Sequence, residues 1–196
     1  MEIRKPKEVL LMGPGPSPVD PRVLEAMAWP VLGHLDPDFL SIMNETTEGL
    51  RWVFQTKNLA TLPVSGTGSS GMETAFVNFV QPGDKVIVGV NGVFGGRMVD
   101  MASRVRAEVI EVKAEWGKPL DPGDIEKALK SNPGVKFVAM VNAETSTGAL
   151  TPTGPVANLA HEYGAMIIAD TVSSLGGVPV EVDANGLDIV FSGSQK

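Results

Sequence analysis

The chain has 196 residues and a formal net charge of -7, with 43% hydrophobic and 20% charged residues; this fits one globular domain and speaks against a nucleic-acid partner. It contains no cysteine and two histidines, which excludes disulfides and thiolate metal sites and disfavours a histidine-rich metal centre. No apolar run reaches the length of a membrane span and Met1 to Glu8 is charged rather than signal-like, so the sequence reads as a soluble, cytoplasmic protein.

Residues 1–19 read as an N-terminal arm ending in Gly13-Pro14-Gly15-Pro16-Ser17-Pro18, where three prolines in five residues forbid helix. Residues 20–196 form the main domain. Asp20-Pro21 has the form of an N-cap and first helical position, opening a short helix through Trp29. A loop carrying Gly33-His34 follows. Phe39, Ile42, Met43, Thr46, Leu50 and Val53 then recur at helical spacing, which predicts an amphipathic helix over 37–56. Beyond it, apolar runs at 59–64, 85–90, 107–112, 136–142, 165–169 and 187–191 read as strands. Helical patterns at 69–80, 94–104, 121–131 and 153–163 separate the first five. The alternation predicts an α/β fold, a mainly parallel sheet with helices on both faces. No closing helix follows the last strand, so the domain is expected to be incomplete at its C-terminal end.

In such sheets ligands sit beyond the carboxyl ends of the strands. After 59–64 comes Ser65-Gly66-Thr67-Gly68-Ser69-Ser70-Gly71 at a helix start, either a phosphate cradle or a glycine-rich turn with a serine cap. Its glycine spacing formally matches a dinucleotide fingerprint. The next strand, however, ends in Asn91-Gly92 rather than an acidic residue, and no lysine follows the glycines as a nucleotide P-loop requires. In Asn91-Gly92-Val93-Phe94-Gly95-Gly96-Arg97, Phe94 is either a stacking face for a flat ring or ordinary core. Asn142-Ala143-Glu144-Thr145-Ser146-Thr147-Gly148 is either a donor-rich loop for a phenolic or carbonyl oxygen or a satisfied turn. Asp170 ends a buried strand, where a carboxylate needs a partner: a protonated ring nitrogen or a backbone N–H. Lys196, after Phe191-Ser192-Gly193-Ser194-Gln195, is either a nucleophilic amine at the mouth of the sheet or a surface lysine. An anion cradle, a stacking face, a buried carboxylate and a lysine amine, each from a different strand end, together suit pyridoxal 5'-phosphate.

These stretches, with Met12-Gly13-Pro14-Gly15-Pro16-Ser17 and Asp170-Thr171-Val172-Ser173-Ser174-Leu175-Gly176-Gly177, resemble the class V (fold type I) pyridoxal-phosphate aminotransferases, in the alanine–glyoxylate and serine–pyruvate branch. The resemblance runs in matching order from about Leu10 to Lys196. It implies that Lys196 links covalently to the cofactor aldehyde and moves the substrate α-proton, and that Asp170 holds the ring-nitrogen proton. It further implies that Thr145 meets the ring oxygen and that Thr67, Gly68 and Gln195 hold the phosphate with help from a second subunit, hence a homodimer. Phe94 stands where this branch often has tryptophan, and Ser69 where it often has histidine, which weakens one cofactor contact. The family pattern continues past Lys196 into a small domain bearing the arginine for the substrate carboxylate, expected to be absent here. Arg97, Arg104 and Arg106 read as solvated, His161 as surface, and His34 as an exposed loop residue or a weak candidate for the substrate mouth. The implied activity is amino transfer from alanine or serine to glyoxylate or pyruvate. Ureidoglycine–glyoxylate transamination, cysteine desulfuration (which needs a cysteine this sequence lacks) and a non-catalytic cofactor-binding fragment are the alternatives.

Overall fold

Five strands form one parallel sheet: β1 (Lys85–Val90), β2 (Glu108–Lys113), β3 (Val135–Val141), β4 (Met166–Asp170) and β5 (Ile189–Phe191), in the order β2-β1-β3-β4-β5. The computed structural model describes residue 4 and residues 6–196, so the first part of the expected arm lies outside the described residues. Among the described residues six helices complete it: α1 (Pro21–Ala26), α2 (Pro37–Phe54), α3 (Gly68–Phe79), α4 (Val93–Arg104), α5 (Pro122–Ser131) and α6 (Thr153–Glu162).

The strand pleat sorts the core into two layers. Val86 and Val88 of β1, with Phe137 and Ala139 of β3 and Ile168 of β4, face one side and pack with Met72 and Phe76 of α3 and Met98 and Ala102 of α4. Ile87, Val138, Met140 and Ile167 face the other, against Ile125 and Leu129 of α5 and Val156 and Ala160 of α6. Both faces being covered explains the near-continuous apolar strands that the sequence displays. β2 lies on one side of β1 and β3 on the other, so the winding reverses between them. The loops that leave these two strands diverge, and a crevice opens at the carboxyl edge of the sheet.

Three expectations need correction. Residues 59–64 form no strand: Leu59, Leu62 and Val64 are exposed and no ladder partner exists among the described residues. Pro63 lacks an N–H for a ladder, and the preceding backbone is engaged locally. Ala60 N donates to Asn58 Oδ1, Thr61 Oγ1 donates to Asn58 O, and Arg51 Nη2 reaches Leu59 O. The last strand is shorter than 187–191, because the Asp188 carboxylate turns back to accept from Ile167 N at 2.8 Å and meets His161 Nε2 at 2.9 Å. The first helix stops at Ala26 rather than Trp29.

α2 forms where its periodicity predicts but buries none of its residues. Its ends are set by capping: Asp36 accepts from Asp38 N at 2.9 Å, and Gln55 adopts a left-handed conformation with φ 55°. Leu40 and Ile42 stay about half exposed, at 47% each. Among the described residues no helix is long and apolar enough to cross a membrane.

Phe76 is fully buried between α3 and the sheet. Phe76→Ala is expected to lower unfolding free energy by roughly 3–5 kcal/mol, read by urea denaturation; a loss under about 1 kcal/mol would mean that this layer is not the packed core described here.

Candidate active site

Lys196 follows β5 and the Ser192–Gln195 turn. Its Nζ donates to Thr145 Oγ1 at 2.7 Å and to Ser173 Oγ at 2.9 Å, and lies 5.5 Å from the centroid of the Phe94 ring. Burial lowers the pKa of Lys196, and the charges of Asp170 and Glu144 pull it back up. The proline-rich loop crosses the lysine stem: Ser17 N donates to Gln195 O at 2.9 Å, and Gly15 lies against the methylenes. Gly15 has φ +132°, and a Cβ there would stand 2.8 Å from Lys196 Cγ and Cε, so glycine alone lets the loop pass.

Asp170 ends β4 and is 2% exposed. Its Oδ1 accepts from Val172 N at 2.8 Å, while Oδ2 has no partner among the described residues. Burial raises its pKa from 3.8 to about 6; the Val172 N–H opposes this, the Glu144 charge adds to it, and Lys196 opposes it. The backbone bond and the free oxygen thus coexist, and the two sequence readings of this residue are both accommodated.

Glu144, 1% exposed, ties the loop after β3 to the helix after β1. Oε2 accepts from Phe94 N at 3.1 Å and Gly95 N at 3.2 Å; Oε1 accepts from Ser146 N at 3.0 Å and Ser146 Oγ at 2.7 Å. Ser146 Oγ in turn accepts from Val93 N at 2.9 Å. Gly92, the N-cap of α4, has no side chain to cap the helix, and a Cβ there would fall inside the Glu144 side chain. The carboxylate therefore replaces the cap and fixes Phe94. The sequence reading passed over this role; the available signal was a lone acid between a buried strand and hydroxyl residues, facing a helix start made of glycines.

At the α3 N-terminus Thr67 is the N-cap, yet its side chain makes no capping hydrogen bond; Ser70 N donates to Thr67 O at 2.9 Å, which leaves the Thr67 hydroxyl and the Gly68 and Ser69 N–H groups to an anion. A cavity of about 120 Å³ brings together Thr67, Gly68, Ser69, Phe94, Asp170, Gln195 and Lys196, with Met72, Arg97 and Val172. Thr145 joins them through the Lys196 amine. Arg97 is exposed as expected, but its guanidinium also stacks 4.6 Å from the Phe94 centroid, which helix spacing alone does not reveal. Arg104 pairs with Asp100 at the surface. His34 is exposed and does not line the cavity, and His161 is exposed beside Asp188. A larger open groove of about 1280 Å³ runs between the end of α2 and residues 176–184; it holds none of the residues that the chemistry singles out.

The family model described as Aminotransferase class-V matches residues 9–196. An alanine–glyoxylate aminotransferase of Drosophila melanogaster is 45% identical over 188 residues, covering 95% of this chain and 47% of the relative. The crystal structure of an alanine–glyoxylate aminotransferase from Nostoc superposes with a TM-score of 0.93 at 46% identity, covering 100% of this chain and 52% of the other. That of a ureidoglycine–glyoxylate aminotransferase from Bacillus subtilis gives 0.95 at 40% identity, with coverage of 100% and 50%. The chain spans about half the length of the curated relatives it matches. Pyridoxal phosphate is the cofactor of this family. The match takes in every helix and strand described above together with Lys196, and the chain belongs to the class-V aminotransferases.

Proposed function

We propose that residues 20–196 are the cofactor-binding large domain of an aminotransferase that moves an amino group from a small L-amino acid, alanine or serine, to a 2-oxo acid such as glyoxylate or pyruvate, with residues 1–19 as an arm whose loop crosses the site. The observation that carries the reading is the convergence on one cavity of a lysine amine, a buried carboxylate with a free oxygen, an aromatic face and an uncapped helix start. The names of the relatives support the substrates. The Bacillus subtilis relative supports a second reading, in which ureidoglycine is the amino donor to glyoxylate.

The residues present fit the cofactor. Thr67, Gly68 and the α3 N-terminus, with Ser69 and Gln195 beside them, suit its phosphate; Phe94 suits the ring face; Thr145 suits the ring oxygen; Asp170 Oδ2 suits a protonated ring nitrogen. When bound, pyridoxal phosphate supplies an aldehyde that takes up amines and a conjugated ring that accepts the electron pair of a broken C–H bond. Lys196 Nζ is the nucleophile and, once freed by the amino acid, the base that removes the proton from the substrate α-carbon. Burial favours the neutral amine that both roles need. The Asp170 charge opposite holds positive charge within the site, and Glu144 keeps Phe94 in place.

A homodimer is the assembly this reading favours, because α2 buries none of its residues fully and Leu40, Ile42, Trp52 and Val53 stay exposed, as do Leu59, Leu62 and Val64 beyond it. A cytoplasmic location rests on the cysteine-free composition.

Borohydride reduction of the protein with pyridoxal phosphate is expected to leave a pyridoxyl adduct on Lys196, mapped by peptide mass. Lys196→Ala is expected to abolish both the adduct and pyruvate formation from alanine plus glyoxylate; a retained covalent adduct would refute the assignment. Asp170 gives a pH prediction. Its carboxyl binds a proton more tightly in the folded chain, so its contribution to stability is present below pH 3.8 and is lost as pH rises through about 6. Without cofactor the chain should lose about 3 kcal/mol across that window, and Asp170→Asn should flatten the profile in urea melts at pH 4 to 7; an unchanged slope would contradict the buried, partner-poor carboxyl. Light scattering is expected to give a dimer mass at micromolar concentration, and a monomer mass throughout would exclude the α2 stripe as a self-association face.

A further inference from the structure

The Lys196 amine is held by two hydroxyls, and only one of them has a part in the proposed function. Thr145 Oγ1 accepts from Nζ at 2.7 Å, and Ser173 Oγ accepts from the same nitrogen at 2.9 Å. The two hydroxyls also hydrogen-bond each other, so three polar atoms close a triangle. Ser173 sits on the turn that presents Asp170: Val172 N is bonded to the Asp170 carboxylate, and Ser174 N to Thr171 O at 3.2 Å. The backbone that sets the carboxylate therefore also sets this hydroxyl.

A count of hydrogens separates the two oxygens. Each hydroxyl has one hydrogen, and the amine donates to both. The bond between the hydroxyls consumes one of the two hydroxyl hydrogens. If Thr145 gives its own, nothing is left on Thr145 for an acceptor in the cavity. If Ser173 gives, the Thr145 hydrogen is free. A ring oxygen that has lost its proton is an acceptor, and only the second arrangement offers it a hydrogen from Thr145.

We propose that Ser173 is a positioning residue: it holds the free Lys196 amine beside Thr145 and donates its hydroxyl hydrogen to Thr145 Oγ1, which leaves the Thr145 hydrogen to the ring oxygen. This rests on the reading of Lys196 as the reacting amine. The charged groups that bear on Nζ are Asp170 at the end of β4 and Glu144 after β3, with Arg97 of α4 stacked on the Phe94 ring that the amine also approaches. Ser173 adds a neutral acceptor to that set. An ammonium donates more strongly than an amine, so this acceptor favours the charged form.

The test compares the wild type with Ser173→Ala and Ser173→Thr. In the cofactor-free protein, acetic anhydride labelling across pH, with Lys196 followed by peptide mass, reads the amine directly. Ser173→Ala is expected to move the Lys196 labelling midpoint down by about one pH unit, the value of one lost hydrogen bond to a charged donor, while Ser173→Thr stays on the wild-type curve. In the loaded protein, the absorption band of the cofactor should be displaced in Ser173→Ala and unchanged in Ser173→Thr. Superimposable labelling curves for wild type and Ser173→Ala overturn the inference, as does a Ser173→Thr curve displaced as far as that of Ser173→Ala. Failure of the underlying reading looks different: no borohydride-trapped adduct on wild-type Lys196, whatever the labelling curves do. An adduct on all three variants with identical bands overturns the ring-oxygen part alone.

Discussion

The carboxylate of Glu144 holds together the two sides of the crevice on which everything else depends. A parallel sheet that reverses its winding opens a gap between the loops after β1 and β3, and nothing in the strand pairing spans it. Glu144 spans it from inside. Burying a carboxylate costs several kcal/mol unless donors replace the water it loses, and here three backbone N–H groups and one hydroxyl do so. Two of the N–H groups belong to the first turn of α4, where helix-end polarity favours a negative charge. Without this tie the glycines at 92, 95 and 96 would leave Phe94 with little to fix its direction.

Around that tie, the proposed site consists of groups that the fold leaves incompletely satisfied. Asp170 keeps one oxygen without a partner among the described residues in a 2% exposed position, and its pKa rises to about 6. Lys196 is pushed the other way by the same loss of water. Each group limits the shift of the other by its opposite charge. The α3 start is uncapped by any side chain. These costs are borne by two hydrophobic layers directly beneath, in which most residues of the central strands β1, β3 and β4 are buried. The direction of every imbalance suits an anionic, aromatic, carbonyl-bearing ligand with a basic nitrogen.

Strand–helix alternation from 85 onward was legible because both faces of the sheet are covered, so the central strand runs are largely apolar, though edge strand β2 carries Glu108, Glu111 and Lys113, and turns are marked by Gly, Pro and Asp. That the candidate residues meet at one cavity was legible for a related reason: in such a sheet the position after each apolar run names its own place in space. Ser173 and Glu144 were not legible as site residues, since their parts depend on which hydroxyl faces which amine across segments 23 and 49–50 residues apart. Gly15 was read only as part of a stiff loop; its contact with Lys196 joins the two ends of the described chain, which no local pattern encodes. Residues 59–64 misled because apolar content was read as burial, whereas a strand also needs a neighbour with free backbone groups.

That last failure points to a division within the chain. Everything from α3 onward contributes to one core or the other, while α1 and α2 bury no residue of their own and Val31, Leu59 and Trp52 remain largely in solvent. α2 is still joined to the domain at its end, where Val182 N donates to Phe54 O and Asp183 accepts from Thr56 and Lys57. A helix of 18 residues anchored at one end, with Phe39, Met43, Leu50 and Phe54 partly buried but Leu40, Ile42, Trp52 and Val53 exposed, leaves much of its apolar surface in solvent. The periodicity that predicted an amphipathic helix was therefore a correct statement about the side chains, whose apolar face this chain covers in part, with Phe54 packed against the core at the helix end.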